Sequence, residues 1–160
     1  MNLDAVVTAG QLAWKPSPDA EELATWHMWN HPHTGTFASK VGTVLYTIVG
    51  GAEDRMSVWA YACLDPSEAH DLADVTFDSL DQLREFMQTT FASHRLVLAL
   101  ADDLHITTWW VADKTGPLYE VAAEFLEQVL AEKLSRQDAH TKFQAQLAWV
   151  GDATREFAQA

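Results

Sequence analysis

Residues 41–49 (VGTVLYTIV) and 55–64 (RMSVWAYACL) decide the fold. Both runs are rich in β-branched and aromatic residues, whose side chains pack well on a pleated surface, and Gly50-Gly51 stands between them as a turn signal. Together they read as an antiparallel hairpin near 41–64. On its second strand Met56, Val58, Ala60, Ala62 and Leu64 point one way and Ser57, Trp59, Tyr61 and Cys63 the other. Neither set is polar, so one face meets the core and the other is at least partly covered.

Working outward, Asp65-Pro66-Ser67-Glu68 starts a helix: an acidic cap, proline at the first position and Glu three residues after the cap. That helix ends near Ala73. After Val75-Thr76-Phe77, Asp78 or Ser79 caps a second helix, with Gln82 in the capping-box position for Ser79 and Leu80, Leu83, Phe86, Met87 and Phe91 at helical spacing. Residues 95–101 (RLVLALA) and 106–112 (ITTWWVA), joined by the turn-forming Asp102-Asp103-Leu104, read as a second hairpin near 95–112. The competing reading continues the helix through Leu100, because short apolar runs suit either structure. From Pro117, residues Leu118, Val121, Ala122, Phe125, Leu126, Val129, Leu130 and Leu134 repeat at helical spacing, and Ser135 or Asp138 caps a further stripe through Phe143, Leu147 and Val150.

Before the first hairpin, Ser17-Pro18-Asp19-Ala20-Glu21 has the form of a helix start, with a hydroxyl cap, proline and first-turn acids. The helix would run through Leu23, Trp26 and Trp29 and stop at His31-Pro32-His33-Thr34-Gly35, since a residue before proline is pushed out of the helical region. The expected fold is therefore α+β: one domain over residues 1–160, a mainly antiparallel sheet of about four strands, helices packed on one side and a helical C-terminal third. Residues 1–16 and 152–160 are expected as loose ends.

The charge pattern narrows the partners. Ten Lys and Arg stand against 23 Asp and Glu, a formal charge of −13 that repels phosphate backbones and anionic lipid, so neither nucleic acid nor a membrane surface is expected. Cys63 is the single cysteine, which rules out an internal disulfide and any cysteine-based zinc cluster. With no basic, apolar leader at Met1-Asn2-Leu3-Asp4, the expected setting is cytoplasmic.

Three groups of residues could carry function. Asp65, Glu68, Asp71, Asp74, Asp78, Asp81 and Glu85 recur every three or four residues with Arg84 as the only basic residue among them. Asp65 and Glu68 serve as caps, which leaves Asp71, Asp74, Asp78, Asp81 and Glu85 to dock a basic partner. His27, His31 and His33 are candidate metal ligands, four apart on one helical face for the first pair, and on one side if the stretch is extended. Trp26, Trp29, Trp59, Tyr61, Trp109 and Trp110, with His105 beside Asp102 and Asp103 as an acid–base candidate, could line a ligand pocket. Trp109 and Trp110 are adjacent on a strand and must face opposite ways.

No phosphate-binding loop, dinucleotide fingerprint or Gly-x-Ser-x-Gly elbow is present. The leading expectation is a non-catalytic, acidic interaction or regulatory module for a basic protein, comparable in its physics to an antitoxin or immunity protein, with no cofactor. A small-molecule-binding protein or enzyme with a Trp/His-lined pocket comes second, and metal binding third. The apolar C-terminal stripes also allow a homodimer.

Overall fold

A computed structural model describes residues 3–29, 31–51 and 56–130. Six strands run in chain order across one antiparallel sheet: β1 (Glu21–Trp29), β2 (His31–Ser39), β3 (Gly42–Gly51), β4 (Met56–Cys63), β5 (Leu96–Asp102) and β6 (His105–Val111). Helices α1 (Pro66–Leu72) and α2 (Leu80–Ala92) lie between β4 and β5, and α3 (Leu118–Leu130) follows β6. Both sequence hairpins are present, β3–β4 and β5–β6, and they are joined to each other by the β4–β5 pairing from Met56↔Asp102 to Ala62↔Leu96. The α+β class stands, with six strands in place of about four. Residues 131–160, which carry the expected later stripe of Phe143, Leu147 and Val150, lie outside the described residues.

The two additional strands come from the stretch expected to be helical. Ser17 and Asp19 have other uses there: the Ala20 amide donates to the Ser17 carbonyl in a turn, and an Asp19 carboxylate oxygen accepts from the Lys40 amide at 2.6 Å, tying this turn to the β2–β3 connection. Ser-Pro-Asp is turn chemistry as much as cap chemistry. Once the turn forms, β1 and β2 pair from Glu21↔Ala38 to Trp29↔His31, and β2 continues onto β3 from Thr34↔Thr47 to Ser39↔Gly42. Pairing of this length outweighs the weak helical preference of residues 21–29. Pro32 causes no break, because it lies near the start of β2, paired with Met28 of β1 and beyond the β3 ladder that begins at Thr34. Gly35 is not a helix stop either: a Cβ there would stand 2.0 Å from the Ala24 carbonyl oxygen, where the bulged β1 backbone presses on β2.

The helix starts follow the expected chemistry. Glu68 N–H donates to the Asp65 carboxylate at 2.8 Å and Asp65 N–H to the Glu68 carboxylate at 3.0 Å, a complete capping box with Pro66 at the first position. Ser79 Oγ accepts from the Gln82 amide at 3.2 Å, while the Gln82 side chain reaches one residue further back, to Asp78 N–H. The helix then turns Leu83, Met87 and Phe91 inward and ends at Ala92, so the reading that extends it through Leu100 does not hold. Residues 96–100 are all buried in the middle of the sheet, which a strand paired on both edges satisfies and a solvent-facing helix does not.

Both faces of the sheet are covered. On one, Leu45, Val49, Val58, Ala60, Ala62, Leu98 and Leu100 meet Leu83, Met87 and Phe91 of α2 and Leu118, Val121, Ala122, Phe125 and Leu126 of α3, with Ala69 and Leu72 of α1 against the same core. All three helices therefore lie on this face. On the other, Val44, Tyr46, Ile48, Trp59, Tyr61, Val97 and Ala99 meet Val6, Val7 and Ala13 of the chain before β1. This strap is anchored by backbone bonds from Gly10 N–H to Ile106 O, Ile106 N–H to Gln11 O and Ala13 N–H to Leu104 O, and by the Tyr61 hydroxyl on the Ala13 carbonyl. The segment expected as a loose N-terminal end thus closes the second core and pairs with the start of the β6 edge.

Candidate functional site

The five acidic candidates collect on the helix-covered side of the molecule. Asp71 is on α1, Asp74 and Asp78 are in the α1–α2 connection, and Asp81 and Glu85 are on α2; all five are exposed. Because α1 ends at Leu72 and α2 begins at Leu80, the acids form two short groups and not one continuous stripe. Asp65 and Glu68 are committed to the cap. Glu68 is committed twice, since its carboxylate also holds His94 Nε2 at 2.9 Å.

That histidine fastens the two helices together. His94 Nδ1 lies 2.7 Å from the Thr90 carbonyl oxygen and 3.2 Å from Ser93 Oγ, and Nε2 meets the Glu68 carboxylate, so the protonated ring finds an acceptor at each nitrogen. Burial by itself would lower its pKa; the hydrogen bonds to Glu68 and Thr90 and the charges of Glu68 and Asp65 more than reverse this, and the pKa is raised. The clasp joins the end of α2 to the cap of α1 and so holds the acidic elements in place. Sequence reading missed it because Glu68 and His94 are distant in the chain and each has an ordinary local explanation.

A second feature missed by sequence reading lies beside the acids. Trp26 of β1 meets Phe77 at 5.2 Å and Phe86 at 6.1 Å between ring centroids, with interplanar angles of 80° and 84°, and Phe77 meets Phe86 at 5.2 Å. Phe86 lies on α2 and packs at the margin of the helix-side core, as its helical spacing implies, and Trp26 and Phe77 pack against the same core; Trp26 reaches it from strand β1 and not from the expected helix. All three rings are only partly buried, and Leu80, at the first position of α2, is 36% exposed. The available signal was the alternation of Phe77-Asp78, Leu80-Asp81 and Glu85-Phe86, which sets apolar and acidic residues side by side.

The remaining aromatic candidates do not share one site. Trp59 and Tyr61 are fully buried under the strap, and their polar atoms are taken: Trp59 Nε1 donates to Ser57 Oγ at 2.8 Å and the Tyr61 hydroxyl to Ala13 O. Trp109 packs against that same core, whereas Trp110 packs on the helix face with its ring stacked on Phe125 at 6.3 Å. Adjacent strand residues were expected to part in this way. The Trp29 side chain lies outside the described structure. His105 is exposed and its Nδ1 contacts the Asp103 backbone carbonyl at 2.8 Å; the carboxylate partner that an acid–base pair would call for is replaced by a main-chain contact.

The three neighbouring histidines do come to one side of the β1–β2 hairpin. His27 and His33 face each other across it with centroids 5.5 Å apart, His33 also meets Trp59 at 6.3 Å, and His31 stacks on Trp14 of the strap at 5.3 Å. Burial, and secondarily the charge of His33, push the His27 pKa down to about 4, so this ring is neutral at physiological pH. Among the described residues no three His, Cys, Asp or Glu side chains come together as a metal-binding set. The Cys63 thiol, partly buried, is pushed up to about 11 by its surroundings and is a poor nucleophile.

Known proteins offer no guide to this arrangement. Comparisons with protein-family models, curated proteins and solved structures gave no match. Among the described residues no helix is long and apolar enough to cross a membrane. The case for function therefore rests on this chain's own residues.

Proposed function

We propose that this chain is a non-catalytic, acidic interaction or regulatory module that takes a basic protein partner on the face made by α1, the α1–α2 connection and α2. The observation that carries this reading is the exposure of Asp71, Asp74, Asp78, Asp81 and Glu85 on neighbouring elements that the His94–Glu68 clasp fastens together. Carboxylates so placed steer a cationic surface toward them and set its orientation. By contrast, the aromatic and histidine candidates for a pocket are divided between the two faces of the sheet, and several have their polar atoms committed to structural bonds.

The test is a comparison of two sets of variants in a pull-down from the native host. Combined Asp71→Lys, Asp78→Lys and Asp81→Lys should abolish capture of the basic partner, and raised salt should weaken capture of the unaltered chain. His27→Ala and Trp109→Ala should leave capture intact. Loss of capture in the second set with retention in the first would transfer the function to the strap side and end this reading.

A further inference from the structure

We propose that Trp26, Phe77 and Phe86, with Leu80 beside them, are the anchoring patch for that partner, and that the partner presents an apolar side chain flanked by lysines or arginines. The proposal rests on the acidic docking face described above and names its apolar centre. Trp26 is carried by β1, the margin of the sheet among the described residues. The three rings touch one another and each remains partly open to water, whereas Trp59, Phe91 and Phe125 are wholly buried. Joined apolar surface of this kind, bordered by polar groups, is the usual form of an interaction site.

Charge selects the occupant. Asp78 follows Phe77 in the α1–α2 connection and Glu85 precedes Phe86 on α2, so the two elements that carry these rings also carry exposed carboxylates. Asp74 lies in the same connection as Phe77 and Asp81 on the same helix as Phe86, and all four acids are exposed. An incoming apolar group is desolvated against the rings while cations beside it meet carboxylates or the face of an aromatic ring. A second copy of this chain would bring another formal charge of −13 and is repelled.

Two synthetic peptides separate the anchor from the charge: a lysine–serine peptide with two central leucines, and the same peptide with serines in their place. With the full-length chain at low salt, the leucine peptide should bind about tenfold or more tightly than the serine peptide. It should shift the Trp26 indole N–H resonance, assigned through Trp26→Phe, and leave that of Trp59 unmoved. Leu80→Ser, at an exposed position, should reduce the advantage of leucine several-fold without unfolding the chain. Equal binding of both peptides, lost on Asp78→Lys and Asp81→Lys, would overturn the anchor and leave the acidic docking face standing. No binding of either would overturn both. Self-association that shifts the Trp26 resonance without peptide would give the patch to a second copy and overturn the proposal as well.

Discussion

Trp59 and Ala60 are neighbours on β4, and both are fully buried, yet they do opposite work. Ala60 and Ala62 face α2 and α3, which bring their own bulk in Leu83, Met87, Phe91, Phe125 and Leu126. Trp59 and Tyr61 face the strap, an irregular run of turns whose buried apolar side chains are the small Val6, Val7, Ala13 and Ala20, with Leu3, Leu12 and Trp14 partly buried beside them. A helix is about 10 Å across with its side chains, so where α2 and α3 bring their bulk β4 presents alanines at 60 and 62; the strap's buried side chains are small, so Trp59 and Tyr61 fill that space. The alternation of β4 thus records what covers each side of it.

Exchanging the sizes would break the comparison. Trp59→Ala should cost about 3–5 kcal/mol, because it removes a large buried ring that contacts Trp14, His33 and Tyr46 and that the thin strap cannot collapse to replace. Ala60→Leu should cost about 1–3 kcal/mol for the opposite reason, forcing extra volume between sheet and helices. Urea unfolding of both variants measures the difference. If Trp59→Ala proved the milder change, the strap face would be a loosely packed cover and not a second core.

Acidity should separate the two faces as well. His94, on the helix side, has a raised pKa; its stabilising effect is fully present below about pH 6.5, the ordinary histidine value, and is lost as pH rises through the higher folded value. His27, on the strap side, is pushed down to about 4, so the unfolded chain binds the proton more readily between about pH 6.5 and pH 4, and stability is lost as pH falls through that window. Because water still reaches the His27 ring, the loss is about 1–2 kcal/mol and less than the full shift would give. In unfolding measurements across this range, His94→Gln should flatten the alkaline side of the profile and His27→Gln the acidic side. A profile in which either variant flattened both sides would mean that the two histidines titrate as one system.

How far this could be read in advance depended on the distance over which each cause acts. The cap of α1 at Asp65 and Glu68, the start of α2 at Ser79 and the β5–β6 turn at Asp103-Leu104 are set by residues within four positions of one another, and they were legible. Strand β1 was misread because its helix-like opening at Ser17-Pro18-Asp19 is used by a partner 21 residues away, the Lys40 amide. The acids at Asp71 to Glu85 could be found from the sequence, as exposed positions of two short helices and the connection between them. Their aromatic neighbour Trp26 could not, because it reaches Phe77 and Phe86 only after β1 takes its place at the sheet margin.

The smallest effects belong to the β5–β6 turn, where the strap face holds strained backbone. Asp103 and Leu104 have φ of 48° and 68°, in the left-handed region that two-residue hairpin turns require, which Gly and Asn adopt most readily, Asp less so and Leu only under strain. Asp103 is exposed and gains nothing from its side chain there, so Asp103→Asn should raise stability by about 0.5 kcal/mol, the residue type being better suited to that φ. Leu104 is different: it is buried against the strap-side core, and its carbonyl accepts from Ala13 N–H. Leu104→Gly relieves the strain but exposes the pocket the leucine filled, a burial worth about 1.5–3 kcal/mol, so the net change should be a loss of about 1 kcal/mol. Thermal unfolding of the two variants would read the balance directly. A gain from Leu104→Gly would mean that strain outweighs burial, and that the thin cover of this face draws less stability from its apolar contacts than the fully buried Val6 and Ala13 imply.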